Sequence, residues 1–373
     1  MKVLYVFRSL AIWGGIERIL VEKMNFLSTI YGYDVYMLTA DQGNHPVPYF
    51  LEECVHLEDL EIRFHQQYQY RFPRRLWVAK RLKHLYEKRL SERIRQIQPD
   101  IIICTTAEYI DLLVKLKGSI PLVVESHSIC NHTIENGGFW LIRKWYKHHY
   151  LEALSKVDVL VALTEYDAIE WRKVHPNVVV IPNFVHLNDG EVSTVKNNRV
   201  IWVGRFDYQK RPMEIVRIWQ KIYPHFPDWQ LDIYGEGEQR QELFDAVNLL
   251  NMNIMIHPPT KHILDCYRKS SILVSTSLFE PFGLVISEAM SCGLPVVAYD
   301  CPYGPASIIS DGEDGFLIPN GDVAAFVDKV ALLMRNFELR SEMGKTGLEN
   351  SKRYDTTHIM PQWKEFFEQI LTN

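Results

Sequence analysis

Short apolar runs rich in β-branched residues recur along the chain, and segments with helical periodicity lie between most of them. Continuous apolar runs of this kind are typical of parallel strands that are covered on both faces. A polar stretch at residues 185–199, which has no periodicity, separates six runs from six more. The predicted strands lie at residues 2–7, 34–39, 101–106, 122–127, 159–164, 178–183, 200–205, 230–235, 254–259, 271–276, 295–300 and 315–319.

The two groups of strands predict an α/β protein with two doubly wound, Rossmann-like domains. The length supports this prediction, because 373 residues exceed the size of one usual hydrophobic core. Apolar side chains at helical spacing near the C-terminus indicate a last helix, which needs a partner and could cross back to the first domain. The predicted divisions are a first domain at 1–185, a linker at 186–199, a second domain at 200–355 and the C-terminal helix at 356–373.

Composition and charge narrow the class of protein. The chain is 47% hydrophobic and 23% charged, which is ordinary for a globular protein, and its net charge of −5 argues against a general nucleic-acid binder. Its six cysteines lack metal-binding spacing and indicate reduced thiols. The first apolar run breaks at Arg8, too early for a signal peptide, and no run of about 18 apolar residues could span a membrane. We therefore expect a cytoplasmic protein.

Charged side chains follow the first predicted strand of the second domain. In doubly wound folds, ligands bind beyond the carboxyl ends of the strands, close to helix N-termini. Arg205 and Lys210 leave strand 200–205 together in a turn. An arginine can bind two phosphate oxygens at once, and a lysine adds a mobile positive charge. This turn is therefore a candidate phosphate site.

Two glutamates lie eight residues apart further along the second domain. Glu280 stands in a Pro/Gly turn, and Glu288 follows on roughly the same side, just over two helical turns later. The backbone N–H groups of Phe282, Gly283 and Leu284 open this helix and suit an anion. One carboxylate could hold the ribose of a nucleotide and the other a sugar beyond its diphosphate. Spacing alone equally allows a capping Glu280 and a solvated Glu288.

The second domain resembles the donor domain of the retaining family 4 glycosyltransferases with the GT-B fold. Three segments carry this resemblance: "VGRFDYQKRP", "IYGEGEQRQEL" and "FEPFGLVISEAMSCGLPVVAYDCPYGPASIISDGEDGFLIP". In the first domain "GGIER", "ESHS", "LTEYD" and "IPNF" follow the family's order. The resemblance implies two Rossmann-like domains with a cleft between them, a C-terminal helix that crosses back to the first domain, and transfer of a sugar from a nucleotide.

The resemblance also implies roles for residues of the second domain. Arg205 and Lys210 match the pair that holds the donor diphosphate and offsets charge on the leaving group. Glu280 matches the glutamate that contacts the transferred sugar. Glu288 matches the glutamate that binds the ribose hydroxyls.

Further matches concern the first domain and the nucleobase. Gly14 and Gly15 match a glycine loop that approaches the phosphates, and their missing side chains would permit a close approach. His127 matches a histidine near the transferred sugar. Pro259 and Thr260 follow a strand and are candidates for a wall against the nucleobase. Plain turns and a structural histidine are the alternatives for the first-domain residues.

These roles describe a reaction in which a nucleoside diphosphate leaves as the anomeric carbon gains cationic character. The protein must supply fixed positive charge and must orient an acceptor hydroxyl. No Asp-x-Asp motif stands at a suitable strand end, so we expect no metal and no cofactor other than the nucleotide-sugar co-substrate. The loop at 300–309 resembles that of members which use UDP-linked sugars. The sequence departs from the family at Phe184 and Arg211, where glycine is frequent, which leaves the local hinge geometry open but not the reaction.

Two basic segments with interleaved aromatic residues lie in the first domain, at residues 71–95 and 139–150. Basic amphipathic surfaces attract anionic lipid. A lipid-linked acceptor at the inner face of the cytoplasmic membrane would account for both segments, in the synthesis of lipopolysaccharide or another surface glycan. Solvated faces and a soluble acceptor are the alternatives, and the oligomeric state stays open.

Two other classes of function fit parts of the pattern. A Rossmann oxidoreductase would need GxGxxG directly after its first strand and an acidic residue about 20 positions later. Here the Gly14-Gly15 pair comes later and lacks the third glycine. A non-catalytic nucleotide-sugar binder would keep the phosphate site but could lose Glu280 or His127. Both are present, which favours an enzyme.

Overall fold

The computed structural model describes residues 1–106, 108–135, 140–187 and 191–372, without the side chains of 135, 140–143 and 145. These residues form two compact units, and each contains one parallel sheet. The first unit consists of Met1–Leu163, Ala168–Ile181 and Met360–Asn373, and the second of Thr164–Asp167 and Pro182–Ile359.

The first sheet has seven strands and the second has six. The first sheet contains β1 (Lys2–Phe7), β2 (Asp34–Thr39), β3 (Val55–Asp59), β4 (Ile101–Thr105), β5 (Leu122–Glu125), β6 (Val159–Ala162) and β7 (Val178–Val180). The second contains β8 (Arg199–Val203), β9 (Gln230–Tyr234), β10 (Ile254–His257), β11 (Ile272–Ser275), β12 (Val296–Asp300) and β13 (Gly315–Pro319).

Helices connect most of these strands. They are α1 (Gly15–Thr29), α2 (Arg74–Ile97), α3 (Ile110–Leu116), α4 (Cys130–Glu135), α5 (Trp140–Leu154), α6 (Glu165–Arg172), α7 (Pro212–Ile222), α8 (Arg240–Asn248), α9 (Ile263–Arg268), α10 (Leu284–Ser291), α11 (Pro305–Ile308), α12 (Val323–Arg335), α13 (Phe337–Ser351) and α14 (Thr356–Thr372). Short 3-10 turns lie at Phe64–Gln69, Tyr223–His225 and Lys352–Tyr354.

The order of the strands indicates where each sheet can form a ligand-binding crevice. The first sheet runs β3-β2-β1-β4-β5-β6-β7 and the second β10-β9-β8-β11-β12-β13, and all pairs are parallel. Chain order therefore reverses between β1 and β4 and between β8 and β11. In doubly wound sheets a crevice forms at this point, beyond the carboxyl ends of the strands. The predicted fold of two doubly wound units is confirmed.

The strands form because their apolar residues are buried on both faces. Every residue of β4, β5, β6 and β11 is buried, which explains the continuous apolar runs. Tyr86 and Trp171 are among the large side chains in the core of the first unit, and Trp202 and Trp219 in that of the second. All twelve predicted strands are present, although several end earlier than expected.

One strand of the first sheet, β3, was not predicted from the sequence. β3 reads "VHLED" and pairs in parallel with β2 at the edge of the first sheet. Only Val55 in this strand is buried. An edge strand with one buried side chain leaves no apolar run to detect, so its formation depends on pairing with β2.

The predicted linker at 186–199 is partly integrated into the second unit. Ser193 and Val195 are buried. The backbone N–H of Ser193 donates to the carbonyl of Cys292 at 2.8 Å, and Nε of Arg340 donates to the carbonyl of Val195 at 2.9 Å. Residues 188–190 of the predicted linker lie outside the described residues. The described part of this linker carries few large apolar side chains, so its composition does not predict that it packs against the second unit.

Helix α14 returns to the first unit, as predicted. Its first residues belong to the second unit, and from Met360 onward it belongs to the first. Trp363 lies under Nζ of Lys23 at 3.8 Å, and the ring of Phe367 is 6.5 Å from that of Tyr33. The apolar residues at helical spacing therefore pack against the start of the chain.

Candidate active site

The turn at residues 204–211, which we call the phosphate turn, follows β8 at the reversal point of the second sheet. Its backbone is held from both sides. The carboxylate of Asp207 accepts from the backbone N–H of Lys210 at 2.9 Å. The hydroxyl of Thr276, just after β11, lies 3.1 Å from the carbonyls of Lys210 and Arg211. The neighbouring strand thus fixes the backbone that presents both predicted cations.

Close packing of backbones also fixes this turn. The N–H of Phe206 donates to the carbonyl of Glu236 at 2.8 Å. A Cβ atom added to Gly235 would lie 1.9 Å from the carbonyl oxygen of Gly204. Only glycine allows this approach, so the "GEG" that follows β9 supports the phosphate turn.

Arg211 has a left-handed backbone, with φ of +53°. The position therefore keeps the conformation that glycine favours, and a non-glycine residue there costs about 1–2 kcal/mol. Its guanidinium bonds to Asn320 at 3.1 Å and to Glu214 at 3.0 Å, and lies 5.6 Å from the ring centre of Tyr299. These contacts offset the strain and explain how an arginine is accommodated.

The structure brings Lys210 and Glu280 into direct contact. Nζ of Lys210 lies 2.5 Å from Oε2 of Glu280, and these side chains are only 14% and 9% exposed. Arg205 is in the same turn but is 57% exposed, and its guanidinium bonds to Gln209 and Asp207. The site therefore contains one shielded cation, paired with a carboxylate, and one solvent-facing cation.

The segment at residues 302–304 holds Glu280 in place. The backbone N–H of Glu280 donates to Pro302 at 2.6 Å, and its carbonyl accepts from Tyr303 at 2.9 Å and from Gly304 at 2.7 Å. A Cβ atom on Gly304 would lie 1.8 Å from the carbonyl oxygen of Phe282. In the sequence, residues 300–309 indicate only the type of donor, and their support of Glu280 becomes visible only in the structure.

Helix α10 begins directly beyond Glu280. The N–H groups of Phe282, Gly283 and Leu284 stand at its N-terminus, and no hydrogen bond within the described residues uses them. Such groups carry partial positive charge. Together with Lys210 they make this edge of the sheet suitable for a phosphate.

Glu288 lies inside the second unit, not on its surface. It is 5% exposed, and its Oε2 accepts from the hydroxyl of Tyr267 at 3.2 Å. The alternative of a solvated Glu288 is therefore wrong. The alternative in which Glu280 caps the helix also lacks support, because within the described residues no side chain caps α10. Tyr267, on α9, was not singled out from the sequence.

Pro259 and Thr260 lie at the same edge of the second sheet, beyond β10. Strand β9 lies between β10 and β8, so these two strands are two spacings, or about 10 Å, apart. The ring of His257, at the end of β10, stacks on Tyr234 with centroids 4.3 Å apart. This flat aromatic surface was not predicted, because nothing in the sequence indicates that His257 stacks on Tyr234 of the "IYGEGEQRQEL" segment.

The predicted first-domain residues lie at the carboxyl edge of the first sheet. Gly14 precedes α1 and Gly15 begins it, and the hydroxyl of Tyr49 donates to the carbonyl of Gly14 at 3.0 Å. His127 follows β5 and is buried, with Nε2 3.1 Å from Oε2 of Glu125. That these residues face the donor remains a prediction.

Comparison with known proteins identifies the family. The family model described as Glycosyltransferase Family 4 matches residues 13–189, and that described as Glycosyl transferases group 1 matches residues 188–350. The chain belongs to the family 4 glycosyltransferases with the GT-B fold. The expectation of a glycosyltransferase is therefore confirmed, and the oxidoreductase alternative is wrong.

Full-length relatives and a solved structure agree with this assignment. The chain is 26% identical to the amylovoran biosynthesis glycosyltransferase AmsD of Erwinia amylovora, covering 98% of this chain and 99% of AmsD. It is 22% identical to an α-1,4-N-acetyl-D-galactosaminyltransferase of Campylobacter jejuni, named for a PP-undecaprenol-linked GalNAc substrate, covering 99% of each chain. TarM of S. aureus, crystallised with UDP, shares the fold with a TM-score of 0.78, at 16% identity over 98% of this chain and 99% of TarM.

Proposed function

We propose that this glycosyltransferase moves a hexose or N-acetylhexosamine from a UDP-linked donor to a lipid-linked glycan, with retention of configuration and without a metal ion, in the synthesis of a surface polysaccharide. The observation that carries this proposal is the contact between Lys210 and Glu280, 2.5 Å apart beside the free N–H groups of α10. A cation, a carboxylate and backbone donors at one strand edge match the diphosphate and the sugar of such a donor.

The phosphate turn would stabilise the leaving group. As the bond between the anomeric carbon and the phosphate oxygen breaks, negative charge grows on the diphosphate. Lys210, Arg205 and the N-terminus of α10 offer fixed positive charge to these oxygens. This set of donors can replace a metal ion, which supports metal-independent transfer.

Glu280 has two roles in this proposal. Without the donor, it neutralises Lys210 and so keeps a poorly solvated cation in the site. With the donor bound, Lys210 turns to the phosphate and Glu280 accepts hydrogen bonds from hydroxyls of the sugar. Glu288, which is buried two helical turns later, accepts from the ribose hydroxyls.

Retention is proposed as a reaction on one face of the sugar. The bond from the anomeric carbon to the phosphate oxygen breaks, a bond to the acceptor oxygen forms on the same face, and the acceptor proton goes to the departing phosphate oxygen. The products are the glycosylated acceptor and the nucleoside diphosphate. No separate nucleophile is needed for this sequence.

The choice of donor and acceptor draws on the relatives. TarM was crystallised with UDP, and the Campylobacter enzyme is named for an undecaprenol-linked substrate. AmsD is named for the synthesis of a bacterial polysaccharide. For this chain we propose the same kind of chemistry, with a UDP-linked donor and a lipid-linked acceptor.

The surface around the start of α2 supports a membrane acceptor. We define the α2 surface as Tyr68, Phe72, Arg74, Arg75, Leu76, Trp77, Lys80 and Arg81. Its large apolar side chains are 60–79% exposed. The guanidinium of Arg75 lies over Tyr68 at 4.4 Å, and that of Arg74 over Tyr70 at 4.6 Å. The opposite side of α2 packs into the core through Leu82, Tyr86, Leu90, Ile94 and Ile97.

Only part of the predicted basic segment at 71–95 carries cations without an ion pair within the described residues. From the middle of α2 onward some cations are already paired, with Lys83 bonded to Asp111 and Arg93 to Glu58. Within the described residues, the cations of the α2 surface have no such ion pair. In the second segment, 139–150, residue 139 and several side chains lie outside the described residues, while Lys144, Tyr146 and Lys147 are exposed. None of the described helices is long and apolar enough to cross a membrane.

The test is a transfer assay with a panel of UDP-, GDP- and ADP-linked sugars and an undecaprenyl-diphosphate-linked acceptor. We expect release of UDP and a product whose anomeric configuration, read by proton NMR, equals that of the donor. Release of GDP or ADP in preference to UDP would overturn the donor assignment. An inverted product would overturn the proposed stereochemistry.

A further inference from the structure

His127 belongs to a buried polar network inside the first unit. Its Nε2 lies 3.1 Å from Oε2 of Glu125, the last residue of β5. An ionised carboxylate only accepts hydrogen bonds, so Nε2 must carry the hydrogen. Within the described residues, no hydrogen bond reaches Nδ1 of the ring. The carboxylate therefore determines which ring nitrogen remains for a ligand.

Lys23 keeps Glu125 ionised. Nζ of Lys23 lies 2.5 and 2.6 Å from the two carboxylate oxygens, and the two side chains are 1% and 2% exposed. Burial raises the pKa of Glu125, but the charge of Lys23 and the bond from His127 hold it below its ordinary value. Burial lowers the pKa of Lys23, and the charge of Glu125 counteracts this. Each buried charge therefore depends on the other.

Aromatic rings fix the position of Lys23. Its Nζ lies 3.8 Å from the ring centre of Trp363, on α14, and 5.6 Å from that of Tyr5, on β1. A cation over an aromatic face is attracted by the ring. Three separate elements, α1, β1 and α14, thus meet at one ammonium group.

The backbone beside His127 is fixed as well. The hydroxyl of Ser126 accepts from Nε1 of Trp171 at 3.0 Å and donates to the carbonyl of Ser128 at 2.6 Å. The N–H of Ser126 donates to Val161, on β6, at 2.8 Å.

We infer that Lys23 and Glu125 form a positioning pair for His127, which holds the ring with hydrogen on Nε2 and leaves Nδ1 to accept a hydrogen bond from a substrate hydroxyl. Glu125 and Lys23 do not touch the substrate in this scheme. They act through the orientation of the ring, as a carboxylate orients a histidine in other enzyme sites. The identity of the ligand rests on the proposed function, whereas the state of the ring does not.

Nitrogen-15 NMR of the histidine rings tests the pair without any substrate. At alkaline pH we expect a protonated Nε2 and an unprotonated Nδ1 for His127, assigned by its loss in H127A. His175 is an internal reference in the same unit, because its Nε2 lies 3.1 Å from the carbonyl of Val157 while its Nδ1 accepts from the backbone N–H of Asn177 at 3.2 Å. A wild-type His127 with hydrogen on Nδ1 would overturn the inference.

Kinetics separate positioning from general damage to the fold. The double variant K23M/E125Q removes both buried charges together and so avoids a lone buried ion. We expect it to lower kcat/KM for UDP release from UDP-N-acetylglucosamine or UDP-galactose about 10- to 100-fold. When Lys23→Met and Glu125→Gln are added to H127A, kcat/KM should fall no further than in H127A alone. An equal loss in both backgrounds would show that the pair acts on the fold rather than through His127.

The matched control uses the exposed ion pair of Lys173 and Glu170, which lies in the same unit at 2.6 Å. The variant K173M/E170Q should leave kcat/KM unchanged. If the wild type releases no nucleotide from any donor, the proposed function fails. The NMR experiment on the wild type and on K23M/E125Q would still decide whether Lys23 and Glu125 set the state of His127.

Discussion

The contact between Lys210 and Glu280 allows a prediction with two separate readouts. In Lys210→Ala, the diphosphate loses a preorganised charge. Removal of one such group costs about 10²–10³ in kcat, which equals about 2.7–4 kcal/mol. Glu280, with a side chain only 9% exposed, also loses the cation that lies 2.5 Å from it. Leaving a buried polar group without its partner costs about 1–3 kcal/mol of folding free energy.

Arg205→Ala should separate the two effects. In the proposed reaction Arg205 serves the same leaving group, but it is 57% exposed and bonds to Gln209 and Asp207. Its loss should lower kcat by a similar factor, because fixed charge is lost from the phosphates. Its free energy of unfolding should change by no more than about 0.5 kcal/mol, as for other surface substitutions.

The assay measures UDP release under saturating donor, together with urea unfolding of each variant. Lys221→Ala is the matched control, because this lysine lies exposed in the last turn of α7 in the same unit. It should change neither quantity. Turnover within about threefold of the wild type in both Lys210→Ala and Arg205→Ala would refute the assignment of the phosphate turn. Equal stability of Lys210→Ala and wild type would refute the shielded ion pair.

Three further predictions concern the nucleotide, the metal and the membrane. Glu288→Ala should weaken UDP binding by about 1.5–3 kcal/mol in isothermal titration, through lost hydrogen bonds to a charged group, and unchanged affinity would exclude the ribose role. Transfer should continue at full rate in excess EDTA, and restoration of a lost rate by added Mg²⁺ or Mn²⁺ would contradict the role of the cations. The protein should sediment with anionic vesicles and be released by salt, since screening acts within about 8 Å, and equal binding to neutral vesicles would favour a soluble acceptor. Reversal of four cations of the α2 surface to glutamate should abolish vesicle binding while sparing hydrolysis of the donor: Arg74, Arg75, Lys80 and Arg81.

Much of the fold follows from local patterns. Strands such as β4 and β11 are buried on both faces, so their apolar runs are visible without knowledge of their neighbours. The turn between Arg205 and Lys210 is also local, since the two residues are only five positions apart. The spacing of Glu280 and Glu288 indicates a common side of a helix for the same reason.

The state of the site residues depends on contacts between distant parts of the chain. Lys210 and Glu280 lie 70 residues apart and meet because β8 and β11 are neighbours in the sheet. The burial of Glu288 depends on Tyr267 and the packing around α10, so its spacing fitted a solvated residue equally well. Strand β3 forms only because β2 offers an edge to pair with.

The pair of Lys23 and Glu125 shows most clearly which features local sequence determines and which depend on tertiary contacts. Within the sequence, Lys23 is a lysine on an amphipathic helix, and such residues are usually exposed. Glu125 lies 102 residues later, at the end of an apolar strand. Local sequence therefore determines the helix and the strand. Only the tertiary structure brings the two charges together beside Trp363, because the stability of a buried charge depends on a partner that local sequence does not specify.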